Sequence, residues 1–447
     1  MCDMTTPIAD FIRDYAVSGL SRLHMPGHKG VGLLGCEGLD ITEVKGADAL
    51  YEAEGIIARS EENATGLFGS GRTVFSTEGS SQCIRAMLYL ALTNRPKGAK
   101  PVVVAARNVH KAFVYACALL DLEVVWLAPE GDARSLCSCR ITAQTLEQTL
   151  NNMDVPPCAV YLTSPDYLGG RADIAALAKV CHHHGTVLAV DNAHGAYLHF
   201  LDTPVHPLDL GCDICCDSAH KTLSVLTGGA YLHIGKNAPE GLAKNAKSAM
   251  ALFGSTSPSY LIMASLDLCN RALAEDFSTT LRGCVEKLDG LRAALTENGW
   301  QLEDTDPLRV TVNAPAGMTG TQLADRLRAH GVECEYADPE YLVLMATPSN
   351  TQEDFDRVIA ALGVNTAPAA LREPLPVAIG ERVLSIREAL FAPHETISAA
   401  EGLGRICAAT TVSCPPAIPI AVSGEVIGQA AMELFRHYGV ETLDVIL

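Results

Sequence analysis

Lys221 lies in Asp217-Ser-Ala-His-Lys-Thr222, flanked by serine, histidine and threonine, and follows Asp191, the last residue of the apolar run Thr186-Val-Leu-Ala-Val-Asp191, by 30 positions. A lysine amine in a recessed loop loses hydration and gives up its proton more readily, so it can attack a carbonyl carbon and form a Schiff base. Alone, Lys221 reads more simply as an ordinary turn lysine; its company changes the reading. Asp191 closes an expected strand, and ligands in α/β sheets collect beyond the carboxyl ends of strands. Gly79-Ser80-Ser81 opens an expected helix whose apolar residues Ile84, Met87 and Leu88 recur at helical spacing. Free N–H groups and the macrodipole at such a start favour an anion, with plain helix capping as the alternative for the two serines. Ser218 and His220 offer hydroxyl and imidazole donors from the lysine loop itself.

Pyridoxal phosphate accounts for this set with few further assumptions. Its aldehyde takes the Lys221 amine, its ring nitrogen stays protonated beside a buried carboxylate such as Asp191, and its phosphate takes the clustered donors.

The elements that must position these residues form an alternating series. Short extended runs at Val102–Ala105, Glu123–Leu127, Cys158–Thr163, Thr186–Asp191, Cys212–Cys216 and Ala230–Ile234 are interleaved with helical patterns, one of them on Ile174, Leu177, Ala178 and Cys181 and closed by Gly185. Alternation over such a span predicts an α/β domain with a mostly parallel central sheet. Beyond it, a long helical stretch from Met263 through Leu295 reads as a connector. A smaller α+β domain then follows, with strands near Leu308–Val312, Val332–Tyr336 and Tyr341–Met345 and helices near Thr321–His330 and Gln352–Leu362. The expected division is an arm at 1–30, a large cofactor-binding domain at 31–265, a helical connector at 266–300 and a C-terminal small region at 301–447. Pro368–Pro376 reads as a linker, and Ser413-Cys-Pro-Pro-Ala-Ile-Pro419 as a rigid extended segment.

Composition removes several function classes. With 48% hydrophobic residues and 19% charged, the 447-residue chain is of globular type, and a formal charge of −19 disfavours nucleic acid, which needs a basic face. No apolar run is long enough to span a bilayer, and Met1–Asp10 lacks the pattern of an export signal, so no membrane association and a cytoplasmic location are expected. The 16 cysteines are then expected to be thiols. Cys212/Cys215/Cys216 and Cys137/Cys139 have spacings that a zinc site could use, but the first group falls in an expected strand where cysteine serves as a small apolar residue. Three successive helical residues, His182, His183 and His184, point in different directions and do not converge on one ion. No metal is expected.

Four ordered motifs carry a resemblance: His24-Met-Pro-Gly-His-Lys-Gly30, Asp191-Asn-Ala-His-Gly195, Ser218-Ala-His-Lys-Thr222 and Ser255-Thr-Ser-Pro-Ser-Tyr260. Together they resemble the bacterial-type ornithine/lysine/arginine decarboxylases, which have the aspartate-aminotransferase fold, fold type I of the pyridoxal-phosphate enzymes. Gly404-Arg-Ile406 and Pro415-Pro-Ala-Ile-Pro419 resemble the C-terminal signature of that family, and the chain is similar to its short form, without an N-terminal wing domain.

The resemblance makes Lys221 the cofactor lysine, Asp191 the partner of the ring nitrogen and His110, in Arg107-Asn-Val-His-Lys111, the histidine stacked on the ring. It puts Ser80, Ser81, Ser218 and His220 on the phosphate side, His194 beside the ring, and Thr256 at the phosphate of a neighbouring subunit, which implies at least a homodimer. The implied reaction is decarboxylation of an amino acid, a basic one first (ornithine, lysine or arginine), to its amine, as in polyamine metabolism. The proton donor is left open among Lys221, His194 and His220. The alternatives are another fold-type-I enzyme, an aminotransferase or carbon–carbon lyase, and a noncatalytic protein of the same fold. The sequence departs from the family pattern at Asn192, where an acidic residue is usual, at Cys414 and Ala417, and in Cys407-Ala-Ala-Thr410.

Overall fold

The computed structural model describes residues 4–95, 100–131, 134–409, 411–413 and 417–447. Residues 1–3 of the amino-terminal stretch and residues 410 and 414–416 of the C-terminal signatures lie outside the described residues.

In chain order the first helices and strands are α1 (Pro7–Val17), α2 (Ile56–Leu67), β1 (Arg72–Ser76), α3 (Gly79–Thr93), β2 (Val102–Ala106), α4 (Lys111–Leu120), β3 (Glu123–Leu127), α5 (Ala143–Asn151) and β4 (Ala159–Thr163). Next come α6 (Ile174–His183), β5 (Val187–Asp191), β6 (Ile214–Asp217), α7 (Ala219–Thr222), β7 (Ala230–Ile234), α8 (Glu240–Phe253), α9 (Tyr260–Glu275) and α10 (Phe277–Glu297). β8 (Arg309–Asn313), α11 (Gly320–Ala329), β9 (Tyr336–Ala337), β10 (Tyr341–Met345) and α12 (Gln352–Leu362) follow, and shorter elements complete the chain.

The chain divides into two compact units, Met1–Ala99 with Ile174–Thr279 and Lys100–Asp173 with Thr280–Leu447. In the first unit the strands lie in the order β1-β7-β6-β5. β5 and β6 run parallel with Asp191 opposite Cys216, whereas β7 runs antiparallel to both β6 and β1. The turn back from β6 into β7 is the segment that carries Lys221. α3 packs against α8 and against the strands β6 and β7, and α1 and α2 pack against α9.

One cap in this unit is tertiary. Thr6 gives α1 no side-chain cap, and instead Asp267 of α9 accepts the Ile8 and Ala9 N–H groups at 2.9 and 3.0 Å, placing a carboxylate at the positive end of the helix.

In the second unit β4, β2 and β3 are parallel, and every residue of β2, Val-Val-Val-Ala-Ala, is buried, as the run of valines predicts. The smaller sheet β8-β10-β9 is antiparallel, with α11 packed on β10 and on α12. α11 begins with the capping box of Thr319 and Gln322.

Most expected elements fall within a residue or two of the observed ones, with three differences. The long helix is two, because Asp276 has φ −138° and ψ 8°, off the helical region, and so separates α9 from α10. The strand expected at Val332–Tyr336 shrinks to Tyr336–Ala337. Gly331 has φ +75° and Val332 N–H is bonded back to Leu327 as part of the α11 exit, so the apolar start of that run is spent on the turn. The helices α2, α5 and α8 and the strand β1, which lie outside the expected series, complete the framework. Among the described residues no helix is long and apolar enough to cross a membrane.

Candidate active site

Parallel pairing of β5 with β6 brings Asp191 and the segment after Asp217 to the same, carboxyl end of the sheet. Asp191 is 2% exposed; its Oδ1 accepts the Ala193 N–H at 3.2 Å and the Cys216 thiol, with Sγ at 3.7 Å. The carboxylate thus stands on the strand end held from its own loop and from the adjoining strand. Cys216 was read from sequence only as a small apolar residue; that it also donates to Asp191 follows from the register, which sequence alone did not provide.

Lys221 Nζ lies 2.8 Å from Nε2 of His194, a residue that is itself buried and follows Asp191 by three positions. An ammonium can only donate, so Nε2 is the acceptor whenever Lys221 is charged. One side chain from each strand end therefore meets the other, an arrangement through which a proton can pass.

Two of the residues expected on the phosphate side meet as well. Ser218 Oγ donates to Ser80 Oγ at 2.8 Å, joining the lysine loop to the first turn of α3. That turn receives no side-chain cap from Glu78, whose carboxylate accepts the Ser255 N–H instead. Gly79 has φ +71°, and a Cβ there would project into open space rather than onto protein atoms. Ser80 and Ser81 are half-buried beside it. A helix start without a side-chain cap, two hydroxyls on its first turn and a third hydroxyl from Ser218 fit a phosphate group.

His220 contributes less directly. Its Nδ1 donates to Gly229 O at 3.0 Å, so Nε2 can donate only when the ring is protonated, and burial followed by the Lys221 charge holds its pKa below the usual histidine value. Thr256 is exposed in the loop between α8 and α9.

His110 belongs to the second unit, where it caps α4 by accepting the Ala112 N–H on Nδ1 at 3.1 Å. The segment before it is fixed by Arg107, whose partners are distant in sequence. The Arg107 guanidinium lies over the Trp126 ring and donates to Ala378 O and Ile420 O at 3.1 Å each and to Glu425 Oε2 at 2.9 Å. Glu425 is more than 300 residues downstream and carries no local signal.

The fourteen described cysteines are free thiols. Cys215 and Cys216 are fully buried on β6, where burial pushes their thiol pKa values up. Asp213, the polar interruption in that run, accepts the Leu188 N–H at 2.8 Å and pairs with His182 at 3.1 Å. His183 and His184 meet each other edge to face, and His184 lies past the end of α6.

Residues 6–316 match the family model described as Orn/Lys/Arg decarboxylase, major domain. Proteins named arginine decarboxylase from Bacillus anthracis and Bacillus subtilis are each 27% identical to it, over 96% of this chain and 92% of theirs. Among solved structures, the lysine decarboxylase of Francisella novicida superposes with TM-score 0.79 at 17% identity, covering 100% of this chain and 82% of that one. Lysine decarboxylase A of Pseudomonas aeruginosa gives 0.80 at 17% identity over 99% of this chain and 80% of its own. These likenesses show the fold: α/β, of the pyridoxal-phosphate fold type I, with a mostly parallel central sheet. The chain belongs to the ornithine/lysine/arginine decarboxylase family and is a pyridoxal-phosphate-dependent amino-acid decarboxylase.

Proposed function

We propose that this enzyme decarboxylates a basic amino acid, with arginine first, followed by lysine and ornithine. The names of its relatives over nearly the whole chain support the substrate class, and the Lys221–His194 contact at 2.8 Å is the observation that carries the site assignment. When bound, pyridoxal phosphate supplies an electron sink for the bond that breaks. In this reading Lys221 holds the cofactor, Asp191 keeps a proton at its ring nitrogen, and Ser80, Ser81 and Ser218 receive its phosphate, with His220 beside them. The ring-stacking role of His110 remains what the family resemblance implies, and the division into arm, cofactor domain, connector and small region is kept as part of the same reading.

Loss of carbon dioxide from an amino acid leaves the α-carbon one proton short, so one proton must be delivered there for each turnover. Of the three candidates, His220 has its Nδ1–H committed to Gly229, whereas His194 and Lys221 are already in contact. His194 is therefore assigned to hold and move that proton, in concert with Lys221.

The reading includes a homodimer in which Thr256 serves the neighbouring subunit, and a cytoplasmic enzyme that feeds amine synthesis. The homodimer draws support from the segment after α1, where Leu20, Leu23, Met25, Val31, Leu33 and Leu34 are between 63% and 103% exposed, apolar side chains that a second copy would cover.

The test is a panel of basic and neutral amino acids incubated with purified protein and cofactor, with carbon dioxide and amine measured together. Equimolar release from a basic amino acid is expected. Turnover confined to neutral amino acids would overturn the substrate class.

A further inference from the structure

A further buried charge of the first unit stands beside the residues assigned so far: Asp217, the last residue of β6, whose side chain is 0% exposed. Its carboxylate accepts the Asn192 amide at 2.6 Å, His206 Nε2 at 3.0 Å and His233 Nε2 at 3.1 Å. Asn192 follows Asp191 directly, His233 is on β7, and Ser218, Ala219, His220 and Lys221 follow Asp217 directly. The carboxylate therefore joins the end of β5, the end of β6, β7 and the loop that carries His206.

The protons show which species this is. Leu208 N–H donates to His206 Nδ1 at 3.3 Å, which puts that ring's own proton on Nε2, facing Asp217. The Thr73 hydroxyl lies 2.8 Å from His233 Nδ1 and, donating there, leaves that ring's proton on Nε2, facing Asp217 as well. Three donors converge on an acceptor, and an ionised carboxylate alone among the two forms of Asp217 can satisfy all of them. Burial opposes its charge, but the two histidines outweigh that and hold its carboxyl well below the usual carboxylate range. The same atoms are arranged like metal ligands. A bound ion would need the His206 Nε2 lone pair, however, and would move that ring's proton to Nδ1, against the Leu208 N–H.

Asn192 shows which interaction the site favours. Its Nδ2 is given to Asp217 while its Oδ1, fully buried, has no hydrogen-bond partner among the described residues. That oxygen fills the space beside Gly195, where a Cβ would come within 2.1 Å of it. An orphaned carbonyl oxygen is unfavourable, and the orientation is retained because the opposite one would turn that oxygen toward a carboxylate.

We propose that Asp217 is a positioning residue for the reaction, a buried anion that sets the separation of Asp191 from the Lys221 loop by tying Asn192 to the end of β6. The proposal rests on Lys221 and Asp191 holding the cofactor. Its test is Asp217→Asn, which keeps the shape and removes the charge. Four quantities are measured: thermal unfolding of the protein without cofactor, affinity for pyridoxal phosphate, visible absorbance of the loaded protein, and kcat against KM.

Cofactor affinity and kcat should each fall about tenfold or more with KM within about threefold, because an amide NH2 at 217 faces donors from every side. The exchange Asn192→Asp with Asp217→Asn restores an acid–amide pair of reversed polarity and should regain part of the affinity. Should Asp217→Asn not fold, Asn192→Ala removes the tie alone and should shift the same quantities in the same direction by less. Unchanged affinity and kcat in a variant that merely unfolds at lower temperature would reduce Asp217 to a structural residue, and stoichiometric metal in the purified protein would replace the network by an ion site. Lys221→Ala separates the two levels of inference. Visible absorbance that survives it would displace the cofactor assignment, whereas its loss together with a normal Asp217→Asn enzyme would overturn this proposal alone.

Discussion

His194→Gln is the substitution that most directly probes the chemistry. The glutamine side chain reaches about as far as histidine Nε2, so its Oε1 can still accept from Lys221 Nζ across the 2.8 Å contact. The hydrogen bond to the amine, of order 1.5–3 kcal/mol for a charged partner, is then largely kept. What disappears is the group that titrates. A positioned general acid contributes roughly 10²–10⁴ in rate, equivalent to about 2.7–5.5 kcal/mol of barrier. Because Lys221 remains as a second, slower proton carrier, the expected loss is at the lower end, about 10²-fold to 10³-fold in kcat, with KM within about threefold. The assay is carbon dioxide release under saturating substrate, with the visible absorbance of the cofactor-bound protein recorded in parallel. That absorbance should be retained, in contrast to Lys221→Ala, which should lose it. A kcat within threefold of wild type would remove His194 from proton transfer and return the role to Lys221 or His220.

Two further outcomes follow from charges in the second unit. Glu425→Gln strands the Arg107 guanidinium, whose pair is 9% and 5% exposed and whose Nη1 already has no hydrogen-bond partner among the described residues. Losing one member of a buried pair costs of order 3 kcal/mol, which for a transition of the 447-residue chain at about 2.1 cal/mol/K per residue lowers the midpoint by roughly 3 °C. A shift below about 1 °C in calorimetry would show the pair to be dispensable. The His437–Glu340 pair, at 3.0 Å, is sensitive to pH: the hydrogen bond to Glu340 raises the histidine pKa above its unfolded value, with burial opposing. Its contribution, below about 1 kcal/mol for a partly exposed pair, is therefore complete below the ordinary histidine pKa and fades as pH rises through the raised one. Thermal unfolding of His437→Gln against wild type should differ at pH 5.5 and converge by pH 8, and a gap that widens toward pH 8 would reverse the sign.

Sequence reading reached furthest where the signal was local. Strands such as Val102–Ala106 and Val187–Asp191 are continuous apolar runs, and helices such as Ile174–His183 end on a glycine with φ +64°, so period and punctuation sufficed. The same locality placed Asp191, Ser218 and Lys221 next to strand ends, which was enough to suggest what chemistry they support. It failed where the partner is distant in sequence. Asp267 caps a helix 259 positions upstream, Glu425 anchors Arg107 from 318 positions away, and Cys216 meets Asp191 only because of strand register. The missed elements have a related cause. The α5 stretch Ala143–Asn151 buries only Leu146 and Leu150, too narrow an apolar stripe to announce a helix without the surface it covers.

The departure at residue 192 shows how that limit affects inference about the substrate. An asparagine in place of the usual acid, read along the chain, removes a negative charge from beside Asp191. In three dimensions Asn192 donates at 2.6 Å to a carboxylate supplied by β6, so an acid–amide pair stands at the joint of the two strands, with its acid at Asp217. Two histidines that converge on that carboxylate fix the acid there, since an acid at 192 would leave their N–H groups facing whatever replaced it. Residues 192, 206, 217 and 233 consequently constitute one choice, and a change at any one of them says little about substrate until the other three are read with it.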